Sequence, residues 1–160
     1  MTDLLQLDPD RDLVLERVVP APPARVWRAW TEPAQLRQWW CPRPWTTPEC
    51  DIDLRPGGQF RFVLAGPGGE RFEHRACYLE VVPERRLIYT EALAAGFRPQ
   101  RPSHAVPVYT AIIALAPDGT GTRYTATVRH VDADGARRHA DMGFHAGWGA
   151  ALDQLIELVG

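Results

Sequence analysis

The sequence predicts an α+β domain in which helices cover one face of an antiparallel sheet. Three observations predict it. Short segments rich in β-branched and aromatic residues alternate with turn signals over residues 49–129, two short helical patterns precede them, and a long apolar helical pattern ends the chain. The 160 residues suit one domain, which we expect over residues 13–160 after an N-terminal extension over residues 1–12.

The first predicted elements are a strand and a pair of short helices. Residues 13–19 are mostly branched and apolar, and Pro20 ends this strand. Residues 22–31 begin with prolines, which suit the first turn of a helix, and then show helical apolar spacing. A second short helix is predicted over residues 33–39. The pair lacks the basic surface that a DNA-reading helix-turn-helix motif needs.

Six further strands bring the predicted total to seven. They begin near residue 49 and then cover residues 59–64, 71–82, 86–91, 108–116 and 122–130, with glycine-containing turns at 55–58, 66–69 and 118–121. Residues 92–107 contain three prolines and show little periodicity, so we predict a long loop there and consider it a candidate lid over an opening.

The last segment, residues 135–159, is predicted to form one long helix with a broad apolar face against the sheet. Gly143, Gly147 and Gly149 lie within two turns of it, and each costs a helix interior about 0.8–1 kcal/mol relative to alanine. Either these glycines allow close packing of the helix, or the missing side chains leave room for a ligand.

The composition argues against several classes of protein. Hydrophobic residues make up 45% and charged residues 24%, which is typical of a globular protein. The chain has no apolar run of about 18 residues, as a membrane span requires, and its start lacks the features of a signal peptide. We therefore expect a cytoplasmic protein without membrane insertion. A net charge of -2 does not indicate nucleic-acid binding.

No residue pattern requires a metal, a cofactor or a catalytic centre. Cys41, Cys50 and Cys77 have neither zinc-site nor disulfide spacing, so we expect reduced, mostly buried thiols. The acidic residues lack a spacing that would define acid–base geometry. Ser103 does not lie in a nucleophile motif. We therefore predict no cofactor and assign no catalytic residue.

Three segments in order resemble a known superfamily. Residues 49–58 after Trp39-Trp40, residues 78–90 and residues 142–149 together resemble the START-like (SRPBCC) superfamily, and most closely its bacterial members similar to the C-terminal domain of the heat-shock ATPase activator. The resemblance implies a helix-grip fold, in which a curved seven-stranded antiparallel sheet wraps round a long C-terminal helix and two short helices follow strand one. The superfamily includes lipid carriers, cyclases and chaperone activators, so the fold alone does not assign a function.

Nine residues are predicted to line a ligand cavity between the sheet and the C-terminal helix. They are aromatic or lie on the inward stripe of that helix: Trp39, Trp40, Phe60, Phe62, Tyr89, Tyr109, Met142, His145 and Trp148. The alternative for each aromatic residue is that it fills the core. The His145 imidazole would hydrogen-bond a ligand carbonyl or hydroxyl. Of the other histidines, His74 and His130 could face inward from strands, whereas His104 and His139 are expected to be exposed.

The leading functional hypothesis is a non-enzymatic binder of a small, largely apolar molecule. One alternative is a cyclase-, aromatase- or hydrolase-like enzyme in which His145 moves protons on a bound substrate. A second alternative, implied by the resemblance, is a protein-interaction module related to chaperone ATPase activators. The sequence leaves open the identity of the ligand and whether the protein is a monomer or a homodimer.

Overall fold

A computed structural model describes residues 3–101 and 105–160, and this part of the chain contains nine strands and four helices. The strands are β1 (Asp12–Val19), β2 (Thr46–Ile52), β3 (Gln59–Ala65), β4 (Arg71–Val82), β5 (Arg86–Thr90), β6 (Leu93–Ala94), β7 (Arg98–Pro99), β8 (Tyr109–Asp118) and β9 (Gly121–His130). The helices are α1 (Pro23–Thr31), α2 (Pro33–Leu36), α3 (Ala133–Asp141) and α4 (Phe144–Val159).

Seven strands form one antiparallel sheet in the order β1-β9-β8-β5-β4-β3-β2. The pairing of β4 with β5 shifts register between Tyr78 and Glu80, and that of β2 with β3 shifts between Thr46 and Glu49. Such bulges increase the local twist and bend the strand. The sheet covers α4 in a helix-grip arrangement, which confirms the predicted fold class.

Side chains alternate between the two faces of the sheet, as the strand period of two requires. In β9, Tyr124, Ala126, Val128 and His130 are buried, while the residues between them are half-buried. The β8 side chains of the same face, Tyr109 to Leu115 at every second position, are buried beside them. The concave face of the sheet therefore supplies one wall of the core.

The short helices after β1 close one end of the core. Their buried side chains are Val26, Trp27, Ala29, Trp30 and Leu36. The second helix is shorter than predicted because the chain continues as turns, in which the Trp39 and Trp40 amides both donate to the Leu36 carbonyl. Both tryptophans are buried, and the Trp39 indole Nε1 donates to the Ala29 carbonyl at 2.9 Å. This bond joins the turn segment to α1.

The prediction of one helix over residues 135–159 is wrong. α3 ends before Met142, and α4 begins after Gly143, whose φ of 95° lies in the left-handed region. That backbone conformation interrupts the helix, and glycine adopts it without the steric cost that a Cβ would add. The two helices consequently turn different faces to the sheet, so the predicted apolar stripe does not run from one into the other.

The predicted loop over residues 92–107 contains a small hairpin. β6 pairs with β7, with Leu93 opposite Pro99. The Phe97 ring packs on Gly57, where a Cβ would lie 2.8 Å from the Phe97 Cε2 atom. Residues 102–104, and with them the predicted exposure of His104, lie outside the described residues. The lid function of this segment stays a prediction.

The described residues before β1 contact the sheet. The Arg129 guanidinium donates to the carbonyls of Leu4 at 3.0 Å and Gln6 at 3.4 Å. Whether residues 1–12 form an extension outside a single domain stays a prediction. Within residues 3–101 and 105–160, no helix is long and apolar enough to cross a membrane.

The three cysteines form no disulfide in the structure, and they are less buried than expected. Only Cys77 is buried, whereas Cys41 and Cys50 are half-buried. Burial raises the pKa of both half-buried thiols, that of Cys50 to about 12. Their thiolate forms are therefore scarce near neutral pH, and thiolate is the reactive form of cysteine.

Candidate functional site

A cavity of about 180 Å³ lies between the concave sheet, the segment after α2, and helices α3 and α4. Its lining residues are Trp39, Trp40, Cys41, Pro42, Phe62, Leu64, His74, Val106, Tyr109, Tyr124, His139, Gly147, Trp148 and Ala151. Pockets for drug-sized ligands begin at about 300 Å³. An apolar cavity of about 150 Å³ holds one benzene molecule. The size of this cavity therefore suits a molecule with a single small ring.

Trp40 forms the centre of the aromatic wall. Its ring centroid lies 5.0 Å from that of Trp30 on α1, 5.4 Å from that of Phe62 on β3 and 5.7 Å from that of Trp148 on α4. All three pairs are edge-to-face, an arrangement that the quadrupoles of aromatic rings favour. The wall is therefore held in place by helices and sheet together.

Strand register brings His74 to the cavity. His74 on β4 pairs with Phe62 on β3, and their rings stack with centroids 4.7 Å apart. The His74 Nδ1 atom lies 3.1 Å from Oε2 of Glu91, and both side chains are buried. Glu91 follows β5, and its backbone N–H donates to the Tyr109 carbonyl. A carboxylate thus orients an imidazole at the cavity wall.

Two tyrosines form a hydroxyl pair beside the cavity, which Tyr109 lines. The Tyr89 and Tyr109 hydroxyls are hydrogen-bonded at 3.3 Å. Burial raises the pKa of both phenols well above the ordinary value, and for Tyr109 the nearby Glu91 adds to the effect. Both hydroxyls therefore remain protonated near neutral pH.

A pair of histidines connects β9 to α3. Register places His130 opposite Tyr109, and the His130 Nδ1 atom lies 3.0 Å from the Arg11 carbonyl oxygen. The His130 Nε2 atom lies 2.8 Å from Nδ1 of His139, which lines the cavity. Burial is the main cause that lowers the pKa of His139 to about 4, and the neighbouring His130 contributes to the same shift. His139 is consequently neutral near pH 7.

Gly147 and Gly149 of α4 are not packed closely against neighbouring elements. A Cβ at Gly147 or Gly149 would meet no heavy atom within 4 Å outside its own helix. Gly147 lines the cavity, whereas the Gly149 carbonyl accepts a hydrogen bond from the Arg17 Nη2 atom at 3.0 Å. Of the two interpretations from the sequence, space for a ligand fits Gly147. The glycine at position 143 is explained instead by its φ of 95°.

Five of the nine predicted site residues line the cavity: Trp39, Trp40, Phe62, Tyr109 and Trp148. Phe60 and Tyr89 do not. Both are fully buried, and their rings pack against each other with centroids 5.0 Å apart. For these two residues the structure matches the alternative interpretation, that they fill the core.

The predicted inward placement of Met142 and His145 is wrong. Met142 is 55% exposed, and His145 is exposed in the first turn of α4. Both predictions assumed one continuous helix, and the break at Gly143 removes that continuity. The expectation that His139 is exposed is wrong for the same reason. The α3 face with Gly135, Ala136 and His139 packs inward, and His139 is only 6% exposed.

Sequence reasoning missed several cavity residues. Tyr124, which the aromatic pattern also indicates as a candidate for the cavity wall, lies on the buried face of β9. His74, which strand alternation allows to face inward, lies opposite Phe62 in the observed register. His139 had no such signal, because its orientation follows from the break between α3 and α4. Among the described residues, no group of three or more His, Cys, Asp or Glu side chains could hold a metal ion.

Comparisons with known proteins agree with this architecture. Residues 20–160 match the family model described as Activator of Hsp90 ATPase homolog 1-like protein. A crystal structure of a protein from Nitrosomonas europaea is 46% identical, covers 95% of this chain and 96% of its own, and has a TM-score of 0.89.

Two further crystal structures are similar at lower identity. A protein from Mycobacterium smegmatis is 26% identical over 99% of this chain and 96% of its own, with a TM-score of 0.79. A protein from Chromobacterium violaceum is 27% identical over 95% of this chain and 98% of its own, with a TM-score of 0.74. None of the curated proteins matches the chain.

Proposed function

The chain belongs to the family of Activator of Hsp90 ATPase homolog 1-like proteins, within the START-like superfamily, and we propose that it binds a small, largely apolar molecule in the cavity beside α4. Domains of this kind often bind hydrophobic ligands. The cavity of about 180 Å³ supports a ligand no larger than one substituted ring.

The observation that carries the proposal is the wall at Gly147. A glycine inside a helix costs about 0.8–1 kcal/mol relative to alanine. A Cβ at this position would meet no heavy atom within 4 Å, so close packing does not require the glycine. The space that the missing side chain leaves is part of a cavity whose other walls are mainly aromatic. Room for a bound molecule accounts for both features.

Substitution at the two helical glycines tests the proposal. Gly147→Leu places an isobutyl group in the cavity, whereas Gly149→Leu adds the same group to the same helix outside it. A ligand that binds only the folded state raises the melting temperature. With toluene as the probe, we expect a higher Tm for the wild type and for Gly149→Leu, and no change for Gly147→Leu. A wild-type Tm that does not respond, or an equal response in Gly147→Leu, would argue against this cavity.

Native mass spectrometry gives an independent test with whatever molecule co-purifies. We expect an added mass on the wild type and on Gly149→Leu that is absent from Gly147→Leu. Denaturing extraction of the bound fraction would then identify its chemical class.

The alternatives from the sequence remain predictions. His74 lines the cavity and pairs with Glu91, so a polar side chain reaches the lining, as the enzymatic alternative requires. The chaperone interaction rests on the family description alone, and an unchanged chaperone ATPase rate would remove it. The cytoplasmic location and the oligomeric state also remain predictions.

A further inference from the structure

The hydrogen-bond partners of the histidine pair determine where its protons lie. A carbonyl oxygen only accepts, so the His130 Nδ1 atom, 3.0 Å from the Arg11 carbonyl, carries a proton. In a neutral imidazole the other nitrogen is then an acceptor. His130 Nε2 therefore accepts from His139 Nδ1 at 2.8 Å, and His139 Nδ1 carries the second proton.

This assignment leaves the neutral pair with one free lone pair, on Nε2 of His139. His130 lies on the Nδ1 side of the His139 ring, and the ring itself lines the cavity. None of the described residues donates a hydrogen bond to the Nε2 atom. The Tyr109 and Phe144 rings flank the imidazole, with centroids 5.6 Å and 5.3 Å away. The lone pair is therefore held in an aromatic environment that a ligand can reach.

We propose that the molecule bound in this cavity is a small neutral ring compound bearing a hydroxyl group, whose O–H donates a hydrogen bond to Nε2 of His139. The inference rests on the proposed function and specifies its ligand class. The low pKa of His139, about 4, supports it because the lone pair stays available near neutral pH.

The chemistry of the acceptor distinguishes this class from others of similar size. A carbonyl or ether oxygen would face the lone pair as a second acceptor and would be left without a partner. Burying a polar group without a hydrogen bond is unfavourable. An ammonium group would supply a donor but would lose its hydration in a mainly aromatic cavity. A neutral hydroxyl on a ring satisfies the acceptor at a lower desolvation cost.

Two probes of nearly the same shape test the inference. p-Cresol and p-xylene differ by a hydroxyl in place of a methyl group. Calorimetric titration of the wild type should give a lower Kd for p-cresol than for p-xylene. His139→Phe keeps a planar ring and removes the acceptor, so the Kd of p-cresol should rise about tenfold or more. The Kd of p-xylene should change little. His145→Phe changes an exposed histidine of α4 and should retain the wild-type preference.

A measurement on the wild type alone covers the case in which His139→Phe fails to fold. ¹⁵N NMR of the histidine side chains distinguishes protonated from unprotonated ring nitrogens. We expect His139 to be protonated at Nδ1 and not at Nε2, and the Nε2 signal to shift with p-cresol but not with p-xylene. A proton on His139 Nε2 in the free protein would overturn the inference.

The outcomes separate this inference from the proposed function. If p-xylene binds but the protein shows no His139-dependent preference for p-cresol, the proposed hydroxyl contact is wrong. The proposed apolar ligand site is then retained. If neither p-cresol nor p-xylene binds the wild type, the proposed ligand site fails, and the inference fails with it. A preference for p-cresol that is lost in His139→Phe and kept in His145→Phe supports both.

Discussion

His139 shows how strongly its surroundings change the chemistry of one side chain. An exposed histidine titrates near pH 6.5, within the range of ordinary cellular conditions. His139 is buried on α3 beside His130 of β9, Tyr109 of β8 and Phe144 of α4. Burial and His130 lower its pKa to about 4, and the Glu91 carboxylate opposes this shift in part. The residue is thus a neutral hydrogen-bonding group in the fold.

The shift predicts a pH dependence of stability. Below about pH 6.5 the unfolded chain binds a proton at this residue, whereas the folded chain does not until about pH 4. The free energy of unfolding should therefore fall as the pH is lowered through this window, by up to about 3 kcal/mol. Urea denaturation between pH 7 and pH 4 should show a flatter profile for His139→Gln than for the wild type. His145→Gln, on the exposed side of α4, should keep the wild-type slope. Equal slopes in all three proteins would contradict the assignment.

The junction between α3 and α4 is the element that orients His139 at the cavity. Asp132 caps α3, since its Oδ1 atom accepts from the Gly135 amide at 2.8 Å. Gly143 then has a positive φ, which ends the first helix, and α4 begins at Phe144. The inward face of α3 carries His139, and the inward face of α4 carries Gly147 and Trp148. The cavity therefore depends on the break between the two helices.

Alanine substitutions at two glycines of this region should have opposite effects. An alanine in place of Gly143 must adopt the left-handed backbone conformation, which costs about 1–2 kcal/mol. At Gly149, inside α4, a Cβ meets no heavy atom within 4 Å, so the higher helix propensity of alanine should stabilise the fold by about 0.8–1 kcal/mol. Urea denaturation of Gly143→Ala and Gly149→Ala measures both. Stabilisation by Gly143→Ala would show that the helix break does not depend on this glycine.

For the molecule as a whole, Trp40 joins the layers of the fold. It contacts α1 through Trp30, the sheet through Phe60 and Phe62, and α4 through Trp148. The Thr47 hydroxyl donates to its backbone carbonyl, which connects the same segment to β2. A single side chain thus packs against both short-helix and long-helix layers as well as the curved sheet.

Removal of this side chain should destabilise the whole fold. Trp40→Ala leaves a large void among packed aromatic rings, and we expect a loss of about 3–5 kcal/mol in the free energy of unfolding. Trp45 is the matched control, because it is half-buried and stacks on the half-exposed Phe72 with centroids 5.9 Å apart. Trp45→Ala should cost about 1 kcal/mol or less. Chemical denaturation of the two variants gives the comparison, and equal losses would contradict the central role of Trp40.

Local patterns in the sequence were sufficient for the sheet and for part of the site. Alternation and glycine turns predicted the seven strands of the large sheet, and aromatic character indicated Phe62 and Tyr109, which are buried in β3 and β8. These features depend on residues near in sequence, since a strand period and a tight turn are local properties. The apolar residues of the second short helical pattern likewise indicated Trp39 and Trp40.

The tertiary structure alone decided which histidine of the two C-terminal helices faces the cavity. A glycine in a helical pattern is compatible with a helix interior and with a helix end, and both choices preserve the apolar spacing around it. The φ of 95° at Gly143 selects the helix end, turns His139 inward and leaves His145 exposed. The size of the cavity was equally undetermined, because it depends on how side chains from separate helices and strands meet. Those contacts join residues far apart in the chain, and local periodicity does not contain them.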